Sequence, residues 1–343
     1  MTGLMFPIWK GSIVLRESVL PLADIHGDVD DIQLMYPADS ILEVLNAACT
    51  KRFTEGLDYT LKDGKLHILS KGSILPMTYR EYYPDKPIEN GSFAKVGGGN
   101  VRFDNESFFH KYQILVTYRH HAAWPDEYPA DKTDLLPNTA KKLKSSLPLK
   151  IAYYGDSISV GYNSSSFSRS APFQPDWCDM ASLTLEQIYG SKIETIRAAE
   201  NGMDSVWGVE NVYDRVTKHS PDLFVLAFGM NDGHRTPAEF IDNIKRMIDN
   251  VRTDNECCET ILVSTMLPNK EAKGFFVNQK EYEAHLLGLE QQGIAICDMT
   301  RIHEVLLSRK AYRDMTGNNI NHPNDFLSRV YAQALLATLG ADE

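Results

Sequence analysis

Five nearly continuous apolar runs, separated by segments with helical periodicity, dominate the chain after residue 148. The runs are LKIAYY, KIETIRAA, DLFVLAFG, ETILVST and GIAICDM. Such runs are typical of strands that are buried on both faces. The clearest helical segment, TPAEFIDNIKRMIDNVR, places Thr236 at a capping position and Pro237 in the first turn. The repeated strand–helix alternation predicts a doubly wound α/β structure, with a parallel sheet covered by helices on both faces.

The first 120 residues have a different pattern, with short extended runs broken by turn residues. DYTLKDGKLHIL alternates around Asp63-Gly64, which predicts a two-residue hairpin. GGGN at 97–100 has no helical pattern after it, so it indicates a turn and not a phosphate loop. Only SILEVLNAA at 40–48 indicates a helix. We expect an all-β sandwich, jelly-roll-like module at residues 1–125, a proline-rich linker at 126–147 and the α/β domain at 148–343.

The charge balance and the amino-terminal sequence narrow the classes of partner. A formal net charge of -11 argues against nucleic acid as a partner, because phosphate binding requires clustered Lys and Arg side chains. The start, MTGLMFPIWKGSIVLRES, lacks the pattern of a signal peptide, and no apolar run is long enough to cross a bilayer. Five scattered cysteines suggest neither a disulfide framework nor a zinc site. We therefore expect a cytoplasmic protein with no cofactor, metal or membrane partner; a homo-oligomer remains open.

Three strands of the predicted sheet end in small polar residues. The endings are YYGDSIS, AAENGMDS and LAFGMND, which contain Ser157, Gly202 and Asn231. Because parallel strands end on one edge of a sheet, where ligands bind, these residues are expected to lie near one another. NNINHPNDF, just before the last helical segment, adds His322. Since that helix packs back on the sheet, His322 is expected to return to the same edge.

These four residues are the parts that an acyl-transfer site requires. A serine hydroxyl is a weak nucleophile until a base takes its proton, and histidine can do so at neutral pH. The oxyanion that develops on the substrate needs preorganised donors, and the N–H groups of Ser157 and Gly202 with the Asn231 amide would supply three. Gly202 has no Cβ to obstruct a close approach. The pattern predicts Ser157 as nucleophile and His322 as base.

The same four blocks resemble those of the SGNH, or GDSL-like, hydrolases, in the family's order: GDSIS, the ENG glycine, GMND and HPND. The similarity covers about residues 148–340. The resemblance implies a flavodoxin-like three-layer α/β/α domain and a serine esterase. The competing G-x-S-x-G pattern of α/β-hydrolases is disfavoured, because position 159 is serine.

One position departs from the family pattern. The family usually has aspartate three residues before the histidine, and this chain has Asn319 there. We therefore expect a Ser157–His322 dyad, with the imidazole held by Asn319 or by a backbone carbonyl. Asp325 and Asp314 remain alternatives for the third member, although Asp325 is expected to cap the last helix instead.

The substrate is predicted from architecture. A jelly-roll-like module ahead of an SGNH domain resembles certain carbohydrate esterases, which implies O-acetyl groups on oligosaccharides as substrate. Trp177, Phe173 and Trp207 are candidates for stacking on sugar rings at the sheet edge. The alternatives are a lipase or lysophospholipase, and a catalytically impaired carbohydrate-binding protein.

Overall fold

The strands and helices of the protein come from a computed structural model that describes residues 2–342. In chain order the strands are β1 (Ile13–Val19), β2 (Ser40–Asn46), β3 (Arg52–Phe53), β4 (Tyr59–Lys62), β5 (Lys65–Ile68), β6 (Ser92–Ala94), β7 (Asn100–Arg102), β8 (Ile114–Arg119), β9 (Leu149–Gly155), β10 (Ile193–Arg197), β11 (Leu223–Ala227), β12 (Glu259–Val263) and β13 (Ile294–Cys297). The helices are α1 (Tyr79–Tyr82), α2 (Pro137–Lys144), α3 (Ser157–Val160), α4 (Trp177–Tyr189), α5 (Ser205–Arg215), α6 (Pro237–Asp254), α7 (Tyr282–Leu287), α8 (Met299–Leu307) and α9 (Asp325–Thr338).

The apolar runs after residue 148 form a five-stranded parallel sheet in the order β10-β9-β11-β12-β13. Successive residues of a strand point to opposite faces. Ile151 and Tyr153 of β9 pack into a core with α4 and α9, whereas Ala152 and Tyr154 pack into a second core with α5 and α6. The predicted three-layer α/β/α architecture is confirmed.

Helix α6 forms where the sequence predicts it. Thr236 and Glu239 make a reciprocal capping box at its start, in which each side chain accepts a hydrogen bond from the other's backbone N–H. One face is buried against the sheet, and it consists of the apolar residues at helical spacing, Phe240, Ile244, Met247, Ile248 and Val251. None of the helices within residues 2–342 combines the length and apolarity needed to span a membrane. The cytoplasmic location stays a prediction.

The N-terminal region (residues 2–125) is built from antiparallel strands, as expected. Its main sheet has the order β1-β8-β2-β3, and β4–β5 and β6–β7 form two separate ribbons. Asp63 and Gly64 connect β4 to β5 with φ values of 49° and 75°, the left-handed pair that a tight hairpin turn needs. Residues 97–99 form the turn between β6 and β7. The helix expected in SILEVLNAA is wrong, because this segment is β2 and pairs with β8.

The N-terminal region shares its core with the α/β domain. Val14, Val116 and Tyr118 belong to the same buried apolar cluster as Phe326 and Leu335 of α9. The predicted linker at 126–147 contains α2, whose Leu143 also lies in that cluster. The boundaries at residues 125 and 148 stay a prediction.

A buried ion pair also joins the two parts. Lys310, which follows α8, contacts the carboxylate of Glu17 in β1, and both side chains are fully buried. The second oxygen of Glu17 accepts a hydrogen bond from the Tyr118 hydroxyl at 2.6 Å. The N-terminal region is thus attached to the α/β domain through charged as well as apolar contacts.

Candidate active site

Ser157 stands where β9 turns into the short helix α3. Asp156 caps this helix, and its carboxylate accepts a hydrogen bond from Ile158 N at 2.9 Å. Gly155 allows the turn to pass β11 closely, because a Cβ there would lie 2.4 Å from the Ala227 carbonyl oxygen. The local strand–turn–helix sequence therefore presents the serine at the carboxyl edge of the sheet.

His322 reaches this edge from the loop that precedes α9. Its Nε2 lies 2.9 Å from Ser157 Oγ, although 165 residues separate the two in the chain. The loop is held by an internal hydrogen bond, in which the Thr316 side-chain Oγ1 donates to the His322 carbonyl at 2.8 Å. The two side chains are 5% and 7% exposed, so the contact is almost fully shielded from water.

The other imidazole nitrogen faces an asparagine that the sequence reasoning did not select. His322 Nδ1 lies 2.7 Å from Asn163 Oδ1. The orientation of the Asn163 amide is fixed through its nitrogen, because Nδ2 donates to the carbonyls of Asn105 at 3.1 Å and Glu106 at 2.9 Å. With its oxygen facing the ring, Asn163 accepts from a protonated Nδ1. That tautomer leaves Nε2 as the acceptor for the Ser157 hydroxyl.

Asn318 is the second amide beside Nδ1. Its oxygen accepts from the N–H groups of Ile320, Asn321 and His322, so its amide orientation is also set. The amide nitrogen that results lies 2.9 Å from His322 Nδ1 and 2.9 Å from Asn321 Oδ1. Asn318 can donate to an unprotonated Nδ1, which is the opposite tautomer from the one that Asn163 favours.

The prediction that Asn319 holds the imidazole is wrong. Asn319 has a left-handed backbone with φ 70°, and its side chain is engaged on the N-terminal region. Its oxygen accepts from the Tyr82 hydroxyl at 2.9 Å, and its nitrogen donates to the Arg102 carbonyl at 3.0 Å. The family position of the acidic residue is therefore used here for a structural contact.

The two carboxylate alternatives are also engaged elsewhere. Asp314 accepts from Leu20 N at 2.8 Å, and Asp325 accepts from Ser165 N at 2.7 Å. The prediction that Asp325 caps the last helix is wrong, because Asn324 is the cap and accepts from Leu327 N at 3.1 Å. Asp325 instead joins α9 to the loop that follows the serine.

Burial sets the charge state of the imidazole. Desolvation lowers the pKa of His322 to about 4, so the ring is neutral at pH 7 and can accept a proton. The groups that contact it, Ser157, Asn163 and Asn318, are uncharged, and so is the Tyr162 ring, whose centroid lies 5.1 Å away. An imidazolium formed at this position would be stabilised by dipoles and not by a carboxylate.

The three candidate oxyanion donors lie at the ends of neighbouring strands. β9 is flanked by β10 and β11, which lead to Gly202 and Asn231. The Ser157 N–H has no acceptor within its helix, because it is the first residue of α3. Gly202 has φ 73°, and a Cβ there would meet no atom within 4 Å, so its approach side is open. Asn231 Nδ2 donates to the Met203 carbonyl at 2.9 Å, which orients the amide. Their role as an oxyanion hole stays a prediction.

Of the three aromatic residues predicted to stack on a sugar ring, one is buried and two are accessible. Trp177 is 1% exposed and donates from Nε1 to the Ile158 carbonyl at 3.0 Å, so it supports the nucleophile turn from inside and cannot stack on a substrate. Phe173 is exposed and Trp207 is half-buried. The aromatic ring beside His322 was missed: it is that of Tyr162, which also packs on Phe167 with centroids 4.5 Å apart.

Comparison with known proteins identifies a family. The model of the GDSL-like Lipase/Acylhydrolase family matches residues 153–328, which is just over half of the chain. A search of curated proteins finds no match.

Solved structures with a similar fold include a two-domain esterase active on acetylated mannans, at 20% identity and a TM-score of 0.49. That match covers 61% of this chain and 53% of the esterase, so the chain aligns with about half of the esterase's length. An acetylxylan esterase from Geobacillus stearothermophilus, as a catalytic mutant, matches at 14% identity and a TM-score of 0.46, over 56% of this chain and 94% of that one. Since the family model matches just over half of the chain, including the strand end that carries Ser157 and the loop that carries His322, the chain belongs to the GDSL-like lipase/acylhydrolase family.

Proposed function

We propose that the protein hydrolyses short-chain esters, specifically O-acetyl groups on oligosaccharides, through an acyl-enzyme formed on Ser157. The observation that carries the proposal is the 2.9 Å contact between Ser157 Oγ and His322 Nε2, together with the 2.7 Å contact on the opposite ring nitrogen. A nucleophile, a neutral base and an acceptor that orients the base are the arrangement that activates a serine.

In the proposed mechanism, Ser157 Oγ attacks the ester carbonyl while His322 Nε2 takes the hydroxyl proton. The Ser157 and Gly202 N–H groups and the Asn231 amide stabilise the oxyanion. When the carbon–oxygen bond to the sugar breaks, the imidazolium returns the proton to the leaving alcohol. Water then attacks the acyl group with His322 again as base, and acetate leaves as the proton returns to Ser157.

The surroundings of the base support a sugar ester over a long acyl chain. Tyr162 and the 43% exposed Phe167 form an aromatic surface beside His322, and aromatic faces pack against the apolar faces of sugar rings. The adjoining loop, NSSSFSRS at 163–170, is mostly polar. A polar rim around an aromatic surface fits a hydroxyl-rich substrate.

A fluorophosphonate probe tests the nucleophile. Labelling of the wild type is expected, and Ser157→Ala should abolish it because the phosphonylated oxygen is gone. Ser166→Ala is the matched control, since this serine lies in the neighbouring loop with an exposed side chain. Failure of the wild type to label at any pH would overturn the esterase mechanism and favour an impaired carbohydrate-binding protein.

The acyl preference is tested with p-nitrophenyl esters of increasing chain length and with acetate release from acetylated xylo- and manno-oligosaccharides. We expect maximal turnover at C2 and release of acetate from the sugars. Activity on p-nitrophenyl acetate but on none of the acetylated sugars would contradict the carbohydrate assignment. A maximum beyond C8 would identify a lipase or lysophospholipase instead.

A further inference from the structure

We infer that Asn163 takes the place of the acidic triad member as the positioning residue of His322, and that the N-terminal region completes the active site by fixing the Asn163 amide. This inference rests on the proposed function for its kinetic consequences, but the tautomer that it assigns to His322 can be measured independently of activity.

The direction of each hydrogen bond determines which tautomer of His322 is stabilised. An amide presents an acceptor on one side and donors on the other. The Asn163 nitrogen is engaged by two backbone carbonyls, those of Asn105 and Glu106, so its oxygen must face the ring. An oxygen 2.7 Å from Nδ1 stabilises the ring only when Nδ1 carries the proton. Asn163 therefore selects the tautomer in which Nε2 can receive the Ser157 proton.

Asn318 makes this selection necessary. Its amide nitrogen, 2.9 Å from Nδ1, favours the tautomer with the proton on Nε2, and in that tautomer the ring cannot act as a base toward Ser157. The Asn318 orientation is fixed by three backbone N–H groups, so it cannot adapt by flipping. Without the Asn163 oxygen, the remaining amide would stabilise the inactive tautomer.

The two carbonyls that orient Asn163 belong to the segment between β7 and β8 of the N-terminal region. Asp104 orders this segment, because its carboxylate accepts from Glu106 N at 2.9 Å and from Phe108 N at 3.3 Å. The Asn163 backbone is confined from the other side, since a Cβ at Gly317 would lie 2.5 Å from Asn163 Cβ. The N-terminal region thus determines which nitrogen of His322 is protonated.

The first test replaces Asn163 by leucine, which is of similar size but has no acceptor. We expect kcat to fall by about 100-fold or more, the scale of general-base catalysis, with KM little changed. The ¹⁵N shifts of His322, identified with His322→Gln, should show a protonated Nδ1 in the wild type and a protonated Nε2 in Asn163→Leu. If Asn163→Leu keeps both the wild-type tautomer and kcat within about threefold, the inference is wrong.

A rescue variant separates positioning from loss of structure. In Asn163→Leu/Asn318→Asp, one carboxylate oxygen can keep the three backbone bonds of Asn318 while the other accepts from Nδ1. We expect this variant to regain activity and to have its acid limb shifted to higher pH, because the new charge stabilises imidazolium. Asn319→Asp in the Asn163→Leu background restores the family residue at a position that does not face the ring, so it should not rescue. Rescue by Asn319→Asp alone would refute the assignment.

The contribution of the N-terminal region is tested separately. Asp104→Ala should lower kcat by about tenfold, because the carbonyls that orient Asn163 lose their support. Asp24→Ala is the control, since this exposed aspartate also accepts from N–H groups of its own loop, at His26 and Asp28, and is not among the groups that orient Asn163. An Asp104→Ala variant with wild-type kcat and tautomer would exclude the N-terminal region from positioning. A wild type that hydrolyses no ester but shows a protonated Nδ1 would refute the proposed function and leave the positioning intact.

Discussion

The proposed nucleophile and the proposed base of this site are held in place by different means. Ser157 is positioned by contiguous chain: β9, the Asp156 cap and helix α3. His322 is positioned by side chains and carbonyls from distant segments, including Asn163 and, through it, residues 105 and 106. The nucleophile half (residues 155–160) therefore depends on local geometry, and the base half (residues 316–324) depends on tertiary contacts.

The N-terminal region contacts the base half of the site. Contacts from this region reach the base half at several points: Tyr82 and Arg102 bind Asn319, and Ser18 binds Asn324 at 3.0 Å. The nucleophile half instead accepts hydrogen bonds from side chains of α4 and β10 in the α/β domain. Damage to the N-terminal region should consequently affect the base before the nucleophile.

The largest effect is expected on the unfolding free energy, when the buried ion pair between the two regions is broken. Lys310→Met removes the cation that faces Glu17, with Asp314 3.9 Å away, and leaves buried carboxylates without their partner. Removing one member of a buried pair costs about 3–5 kcal/mol of unfolding free energy. Urea unfolding should show this loss as one transition, by fluorescence and by activity together.

Lys10→Met is the matched control for this experiment. Its partner Asp342 lies 3.0 Å away, but the lysine is 42% exposed, so the loss should stay below about 1 kcal/mol. Two separate transitions in Lys310→Met would show instead that the regions fold independently, as the predicted domain boundaries imply.

The next largest effect is expected on kcat, when a residue on the α/β side of the site is replaced. Asn231→Ala removes a candidate oxyanion donor at the end of β11, and kcat should fall about 100- to 1000-fold with a small change in KM. The His322 tautomer should be unchanged, because its partners are Asn163 and Asn318. An equal loss of kcat accompanied by a tautomer change would show that the two halves are not independent.

The smallest effect is the pH dependence of the base half. Because burial lowers the pKa of His322 to about 4, kcat/KM should stay level from pH 7 to about 5 and fall tenfold per unit below about 4. An acid limb near pH 6.5, the ordinary value for histidine, would contradict a desolvated base.

The same pKa predicts a change in stability. Between pH 6.5 and 4 the unfolded histidine binds a proton that the folded one does not, so the free energy of unfolding falls as the pH is lowered, by up to about 1.4 kcal/mol per unit. His322→Gln should remove this contribution. Asp156 acts in the opposite direction, since burial raises the pKa of its carboxyl to about 7 and its ionisation destabilises the fold as the pH rises.

The local features of the fold could be predicted from residue patterns, and the non-local ones could not. The Thr236 cap and the Asp63-Gly64 turn depend on neighbours in the chain, and both are confirmed. The segment SILEVLNAA has a helical pattern but forms β2, because pairing with β8 outweighs its weak local preference. Asn163 gave no signal in the sequence, since its partners lie 57 to 159 residues away.

By itself the sequence determined the α/β architecture and the strand end on which Ser157 lies, because apolar periodicity and strand-end composition depend on near neighbours. The family was indicated by the resemblance of four short motifs. Only the tertiary structure decided how the imidazole is held. The residue in the family's position, Asn319, turns to the N-terminal region, and Asn163 contacts Nδ1 instead. The reason is physical: hydrogen-bond direction at a histidine depends on which groups the folded chain places around the ring, and spacing along the chain does not encode that.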